Sequence, residues 1–310
     1  MSEELKYKLI NQLTNVEALE FINSFDSFLF DMDGVIFLCN DKIHGADTAI
    51  NGLRAIGKNI HFVTNNSAYN AIDLAEKFSS NGIKCYETEF INTTKVIGAY
   101  LKRINFNKKL FVLGSQKSIE YFESLGYEVY LSKENEVIKS WADLNKLLPE
   151  LHNTDVGAVI VDLDVNINYA KLCRAQLLLS NSNVLFLFGS ADPKIPVAKN
   201  VSFMGFDNFL EMLKKSTGRE PVKFAKPSGE MSSYVINAVK EFSPDRILFI
   251  GDSLHTDMLT AAKCGFKKLL VLSGATKIEE LERLKNLECY PDYVANSLND
   301  VTDLLHRISS

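Results

Sequence analysis

The chain has 310 residues, 46% of them hydrophobic, and carries 39 acidic against 34 basic side chains for a net charge of −5. That length is long for one core and suits two domains of a soluble globular protein. The lack of a long basic block argues against nucleic-acid binding, and the lack of any apolar run near the roughly 20 residues of a spanning helix argues against a membrane partner.

An amphipathic stretch from Tyr7 to Phe21 predicts a helix added to the core, within an N-terminal extension of residues 1–21. Phe28-Leu29-Phe30 then predicts a buried strand, followed at once by Asp31-Met32-Asp33-Gly34. Two carboxylates thus emerge two positions apart where a strand turns into a loop. Successive residues of an extended chain point to opposite sides, but the loop can turn the second carboxylate back towards the first. Asp31 is then placed to attack while Asp33 moves protons. Taken alone, D-x-D-G also describes acidic loops that bind Ca²⁺ or simply turn. Farther on, Ile60-His61-Phe62-Val63 runs into Thr64-Asn65-Asn66-Ser67. These hydroxyl and amide groups suit phosphate oxygens, or would cap the next helix. That helix is expected from about Ala71 to Asn81, ended by Gly82, and another from about Thr93 to Arg103, capped by Thr88 or Asn92.

From Leu110 the pattern starts afresh. A strand to Gly114, a helix from Ser118 to Leu125, strands at Tyr127–Tyr130 and Val156–Val161, a helix near Tyr169 to Leu179 and a strand at Val184–Phe188 describe a separate α/β unit. With Asn105-Phe106-Asn107 and the segment after Pro196 as hinges, it is placed as an inserted cap at residues 107–203, between core segments 22–106 and 204–310. Lys226 then precedes Pro227, and Ile247-Leu248-Phe249-Ile250 runs into Gly251-Asp252-Ser253, with Asp257 beyond. In an open parallel sheet, loops at the carboxyl ends of strands gather into one crevice. That favours an insertion over two domains in a row. The expected class is α/β: a doubly wound Rossmann-like parallel-sheet core with an inserted α/β cap, whose hinges allow it to close and exclude water. His255 reads as a surface residue at a helix start, while His44, His61, His152 and His306 form no metal-like set. Cys39, Cys85, Cys173, Cys264 and Cys289, with the acidic, polar start Met1-Ser2-Glu3-Glu4, fit a reduced cytoplasmic protein.

Four motifs in order, D-M-D-G, V-T-N-N, K-P and G-D-S-L-H-T-D, resemble those of the haloacid dehalogenase-like phosphatases. The likeness covers about residues 22 to 305 and is closer to the branch with a large α/β cap, the group of p-nitrophenyl, phosphoglycolate and pyridoxal phosphatases. The resemblance implies Mg²⁺-dependent hydrolysis of small-molecule phosphate monoesters through an aspartyl-phosphate. Asp31 is then the nucleophile, Asp33 the general acid and base, and Thr64 and Lys226 complete the catalytic set. Gly34, Asn65 and Asn66 would hold the substrate phosphate. Asp31, Asp252 and the Asp33 carbonyl would hold Mg²⁺, with Asp257 supporting the metal or positioning Lys226. Asp33 also separates phosphatases and phosphomutases from dehalogenases, which lack an acid there, and from cation-pumping ATPases, which carry Thr. Elementary electrostatics agrees, since a carboxylate approaching a phosphate dianion is repelled unless positive charge is present. An ordinary Asp, with a pKa near 3.9, is mostly ionised at pH 7, so neighbouring carboxylates or desolvation must raise that of Asp33 in the substrate complex before it can donate.

Several segments depart from the branch pattern. Asn66-Ser67-Ala68-Tyr69-Asn70 lacks the basic residue of relatives, Gly189-Ser190-Ala191-Asp192 and Pro196 keep Asp and Pro but replace Thr-Asn, and Met204-Gly205-Phe206-Asp207 replaces P-G-x-G. Phe37, Tyr69 and Phe206 at an altered entrance would favour an aromatic or isoprenoid phosphate, unless they pack the core or hinge. The resemblance also implies a homodimer through the cap. Two other readings stay open: a catalytically weak paralogue that binds a phosphorylated ligand or partner, and a phosphomutase.

Overall fold

The computed structural model describes residues 7–39, 41–130, 140–145, 154–189, 194–198 and 201–309. The chain forms two compact units, one of Met1–Thr64, Ala71–Ile91 and Lys226–Ser310, the other of Asn65–Asn70 and Asn92–Ala225. Among the described residues, no helix is long and apolar enough to cross a membrane.

The first unit is built on a seven-stranded sheet whose order is Lys8–Leu9, Tyr293–Ala295, Lys267–Val271, Ile247–Gly251, Ser27–Phe30, Asn59–Val63 and Phe90–Ile91. Every pairing in it is parallel. Its central strands are continuous apolar runs because both faces are covered; Phe28, Leu29 and Phe30 are wholly buried. Phe62 stacks on Phe90 at 5.1 Å between ring centroids, and Phe78 meets both edge-on at 4.6 and 5.0 Å. Chain order runs outward in one direction from Ser27–Phe30 and in the other from Ile247–Gly251 as far as Tyr293–Ala295, beyond which Lys8–Leu9 is added at the edge. The point of reversal lies between these two neighbours, where ligands of open α/β sheets bind.

Tyr7 to Phe21 is not one helix. Lys8 and Leu9 extend the sheet by pairing with Tyr293 and Val294, and the helix runs only over Asn15–Asn23. Its start is set by a capping box in which the Thr14 hydroxyl accepts from Glu17 N at 3.3 Å and the Glu17 carboxylate accepts from Thr14 N at 2.9 Å.

The second unit carries a four-stranded parallel sheet in the order Val222–Lys223, Leu185–Phe188, Val156–Val161 and Lys109–Leu113. Helix Thr93–Arg103 is capped by Asn92, whose side chain accepts from Lys95 N at 3.0 Å, and Thr88 takes no part. Residues 127–130 contribute one bridge, Leu110 to Val129, in place of the expected strand.

The borders expected at 106/107 and 203/204 both fall inside this unit. At the first, helix Thr93–Arg103 packs on Gln116–Ser124, and Gly98 lies against Leu125 and Tyr121. At the second, helix Asp207–Thr217 packs on Tyr169–Leu179. Arg219 ties its end down by donating to the Leu179 and Val184 carbonyls at 2.8 and 2.7 Å. Where a hinge was expected after Pro196, Lys194–Ala198 and Val201–Met204 form an antiparallel pair. Ser190, Ala191 and Asp192 lie outside the described residues.

Candidate active site

Register alone brings the two acidic strand ends together. Phe30 is opposite Ile250, and Asp31 N donates to the Ile250 carbonyl at 2.8 Å, so Asp31 and Asp252 leave neighbouring strands at the same level. Thr64 leaves the strand on the other side of Ser27–Phe30, its N–H held by the Ile91 carbonyl at 2.9 Å. Lys226 reaches this level from the third segment of the unit. Its ammonium donates to Asp31 Oδ1 at 2.7 Å, Asp257 Oδ1 at 2.8 Å and the Val63 carbonyl at 2.8 Å, one acceptor for each N–H. With Lys226 only 2% exposed and Asp257 fully buried, water contributes little screening, and these bonds hold the Asp31 carboxylate in one orientation.

Asp257 lies on a single turn of π-helix, Leu254–Met258. Its second oxygen accepts from the N–H groups of Asp252 and Ser253 at 3.2 and 3.1 Å. These contacts tie Asp257 both to Lys226 and to the backbone of the Asp252 loop.

Asp252 Oδ2 accepts from Ala275 N at 2.6 Å, and its carbonyl accepts from Thr276 N at 3.1 Å. Two glycines make this fit possible. A Cβ on Gly274 would lie 1.9 Å from Asp252 Oδ2 and one on Gly34 would lie 2.1 Å from it, Gly34 also having φ +82°. The Ser273 hydroxyl closes the cradle by donating to the Gly34 carbonyl at 2.7 Å. Gly274→Ala is therefore expected to push Asp252 aside and, where the cluster takes up Mg²⁺, to weaken affinity for the ion by about 10- to 100-fold, read by calorimetric titration. An unchanged affinity would show that Asp252 does not depend on this cradle.

Asp31, Asp252 and Asp257 offer carboxylate oxygens that all lie within 4.8 Å of one another. Burial, then the neighbouring Asp257 charge, pushes the Asp31 carboxyl well above the usual carboxylate range, against the pull of Lys226. The same two causes raise Asp252 to about 7. Burial disfavours the Lys226 charge, but Asp257 and Asp31 more than offset it and raise its pKa. Three buried carboxylates facing one ammonium leave an excess of negative charge. Hard anionic oxygens in such a cluster fit Mg²⁺.

A pH dependence follows. The folded chain holds the Asp252 proton up to about 7, whereas an unfolded Asp releases it near 3.9. Between those values the folded state binds more protons, so stability without a divalent cation is expected to fall as pH rises from about 4 to 7. A Mg²⁺ ion taken up by the cluster would compete with those protons and stabilise only the folded state, so its effect on Tm would be larger at about pH 8 than at about pH 5.5. An equal or larger Mg²⁺ effect at the lower pH would contradict this account of the cluster.

Of the other expected site residues, Asp33 is exposed and lies in a tight loop in which Gly34 N donates to the Phe37 carbonyl at 2.6 Å. Asn65 and Asn66 belong to the second unit. Asn66 Oδ1 accepts from Ala68 N at 2.9 Å, a turn-forming bond. Two proposed entrance residues belong to cores instead: Phe37 is wholly buried against Phe78, and Phe206 is buried beside Phe209. Tyr69 is exposed, as is His255. The loop Ser273-Gly274-Ala275-Thr276 was not anticipated, although it too follows a strand, Lys267–Val271, and carries a glycine.

The family described as haloacid dehalogenase-like hydrolase matches residues 28–128, and one described as HAD-hydrolase-like matches residues 223–301. The chain is 34% identical over 292 residues to phosphoglycolate phosphatase 1A, chloroplastic, of Arabidopsis thaliana, covering 93% of this chain and 79% of that one. It is 32% identical over 289 residues to 4-nitrophenylphosphatase of Schizosaccharomyces pombe, covering 91% and 95%. Among solved structures, a 4-nitrophenylphosphatase from Thermotoga maritima shares the fold with a TM-score of 0.75 at 22% identity, over 91% of this chain and 98% of that one. With likeness of that extent, and with both matched regions falling on the strands and loops that carry the acidic cluster, the chain belongs to the haloacid dehalogenase-like hydrolases.

Proposed function

We propose that this hydrolase, a phosphoric monoester phosphatase, uses Asp31 as its nucleophile and works with Mg²⁺. The observation that carries the reading is the Lys226 ammonium bonded to both Asp31 and Asp257, with Asp252 beside them, at the reversal point of the sheet. Asp31, Asp252 and the Asp33 carbonyl would hold the ion. When bound, Mg²⁺ supplies positive charge that lowers the repulsion between the Asp31 carboxylate and the phosphoryl oxygens.

Lys226 keeps the attacking oxygen of Asp31 aimed and partly neutralised, and Thr64, with Asn65, hydrogen-bonds the phosphoryl oxygens. Asp31 attacks phosphorus, the ester P–O bond breaks, and Asp33 gives its proton to the leaving oxygen. In the second half Asp33 takes a proton from water, which attacks the phosphorus of the aspartyl-phosphate. Inorganic phosphate leaves, the Asp31 carboxylate is freed and Asp33 is again protonated. The exposed position of Asp33 suits a group that meets leaving group and water in turn.

The test is phosphate release from p-nitrophenyl phosphate. Hydrolysis is expected with Mg²⁺, to stop with EDTA, and to return when Mg²⁺ is added back. Full activity in EDTA would sink the metal assignment. Phosphoglycolate belongs in the same panel, since a relative at 34% identity is named for it. Asp33→Asn is expected to lower kcat by about 10²- to 10⁴-fold while leaving the Mg²⁺-induced rise in Tm intact. Turnover equal to that of the unaltered protein would remove Asp33 from the mechanism.

A further inference from the structure

The second unit contains a buried carboxylate that the chemistry above does not use. Asp162 follows strand Val156–Val161 in the middle of the four-stranded sheet and is 1% exposed. Its Oδ1 accepts from the Ser67 hydroxyl at 2.6 Å and from Leu163 N at 2.9 Å, and its Oδ2 lies 3.5 Å from the Thr93 hydroxyl. The Ser67 carbonyl is held as well, by the hydroxyls of Ser115 at 3.1 Å and Ser118 at 3.3 Å. Those two hydroxyls are 3.1 Å apart, and Thr94 Oγ1 is 3.1 Å from that of Ser118. Groups at the starts of two helices, Thr93–Arg103 and Gln116–Ser124, and at one strand end thus converge on a single serine, fixing it through both side chain and backbone.

We infer that Asp162 is a positioning residue: by clamping Ser67 it sets the conformation of residues 65–70, and so the aim of the phosphate-binding groups that begin with Thr64 and Asn65. The inference rests on the reading in which those two residues hold the phosphoryl group. Ser67 is two residues beyond Asn65, in the short segment where the chain first leaves the first unit and from which it returns at Ala71. Locking its hydroxyl and its carbonyl leaves the adjoining backbone little freedom.

The residue type supports the role. Filling space and accepting hydrogen bonds requires only a neutral acceptor, and burying a carboxylate is unfavourable. The contacts named for Asp162 are two hydroxyls and one backbone N–H, with no cation among them, and burial raises its carboxyl to about 6 against their pull. An O–H donated to a carboxylate is shorter and roughly twice as strong as one donated to a neutral acceptor. The charge therefore makes Ser67 a rigid anchor.

The test uses the full chain with Asp162→Ala, Ser67→Ala, the double variant and Asp162→Asn. Three quantities are read: KM and kcat for p-nitrophenyl phosphate with Mg²⁺, the affinity for inorganic phosphate, and amide exchange over residues 64–71. Each alanine variant is expected to raise KM and the phosphate Kd by about tenfold, with a smaller fall in kcat. Mg²⁺ affinity should be unchanged, because the acidic cluster lies in the other unit. Exchange over 65–70 should quicken while that of 156–161 does not. The double variant should be no worse than the more affected single one, because both changes break the same bond. Asp162→Asn, which keeps a neutral and weaker acceptor for Ser67, should recover only part of the loss. Should Asp162→Ala not fold, Ser67→Ala removes the hydroxyl alone and answers the same question. Unchanged exchange over 65–70, or unchanged KM in an active enzyme, overturns the inference. A native protein that neither hydrolyses p-nitrophenyl phosphate nor binds inorganic phosphate overturns the functional reading instead, and leaves the clamp to be judged by exchange.

Discussion

Asp31→Asn is expected to lower turnover of p-nitrophenyl phosphate by about 10⁴-fold or more, because the amide cannot form the covalent phosphoryl bond and the remaining groups only bind and polarise. The fold should survive. Asparagine has the shape of aspartate, and Lys226 keeps Asp257 and the Val63 carbonyl as acceptors. Removing one negative charge from a cluster with three carboxylates and one ammonium also removes the repulsion that Asp257 and Asp252 exert on Asp31. Tm without Mg²⁺ should therefore match or exceed that of the unaltered protein, while the stabilisation by Mg²⁺ shrinks. Kinetics and a thermal melt on one sample separate these effects. Activity within tenfold of the unaltered enzyme would show that another group is the nucleophile.

Lys226→Met is expected to destabilise the fold by about 3–5 kcal/mol near pH 7.5, the usual result of removing one partner from a buried ion pair. Both partners remain behind without a counter-ion: Asp257 is fully buried and Asp31 is 8% exposed. Protonation offers relief, since without the ammonium the carboxyl pKa values rise further. The folded variant then binds protons more tightly than the unfolded chain, so its deficit should narrow as pH falls to about 5. Activity should drop by about 10²- to 10³-fold, the scale of losing one preorganised charge at a reacting centre. Urea unfolding at the two pH values measures the first effect. A deficit of the same size at both would mean that the loss arises from packing of the lysine stem, and the electrostatic account would be wrong.

Much of the site was legible because buried parallel strands announce themselves. Phe28-Leu29-Phe30 and Ile247-Leu248-Phe249-Ile250 are uninterrupted apolar runs, and the carboxylates stand directly after them. Helices with clear caps were readable for a similar reason: Thr93–Arg103 and Tyr169–Leu179 begin and end where expected. Short, weakly patterned pieces were not. A two-residue edge strand at Lys8–Leu9 has no periodicity to detect, so it was absorbed into the helix beyond it. Asn105, with φ +53°, has the look of a hinge, yet the helix before it already packs into the second unit through Gly98. A polar linker marks a bend in the chain, and only packing decides on which side of the bend a domain begins.

The sequence by itself determined the class of fold, the order of the strand ends and the kinds of chemical group placed on them, because these follow from local hydrophobic runs and from the residues that interrupt them. Tertiary structure alone decided that Lys226 bonds to Asp31, 195 positions away, that Asp257 secures that lysine, that Phe37 and Phe206 are core and not entrance, and that Ser67 is held by Asp162 across 95 positions. Such pairs leave no periodic trace in a chain. They arise when strand register brings distant loops to one level, where low dielectric and scarce water make each buried charge depend on whichever partner the fold delivers.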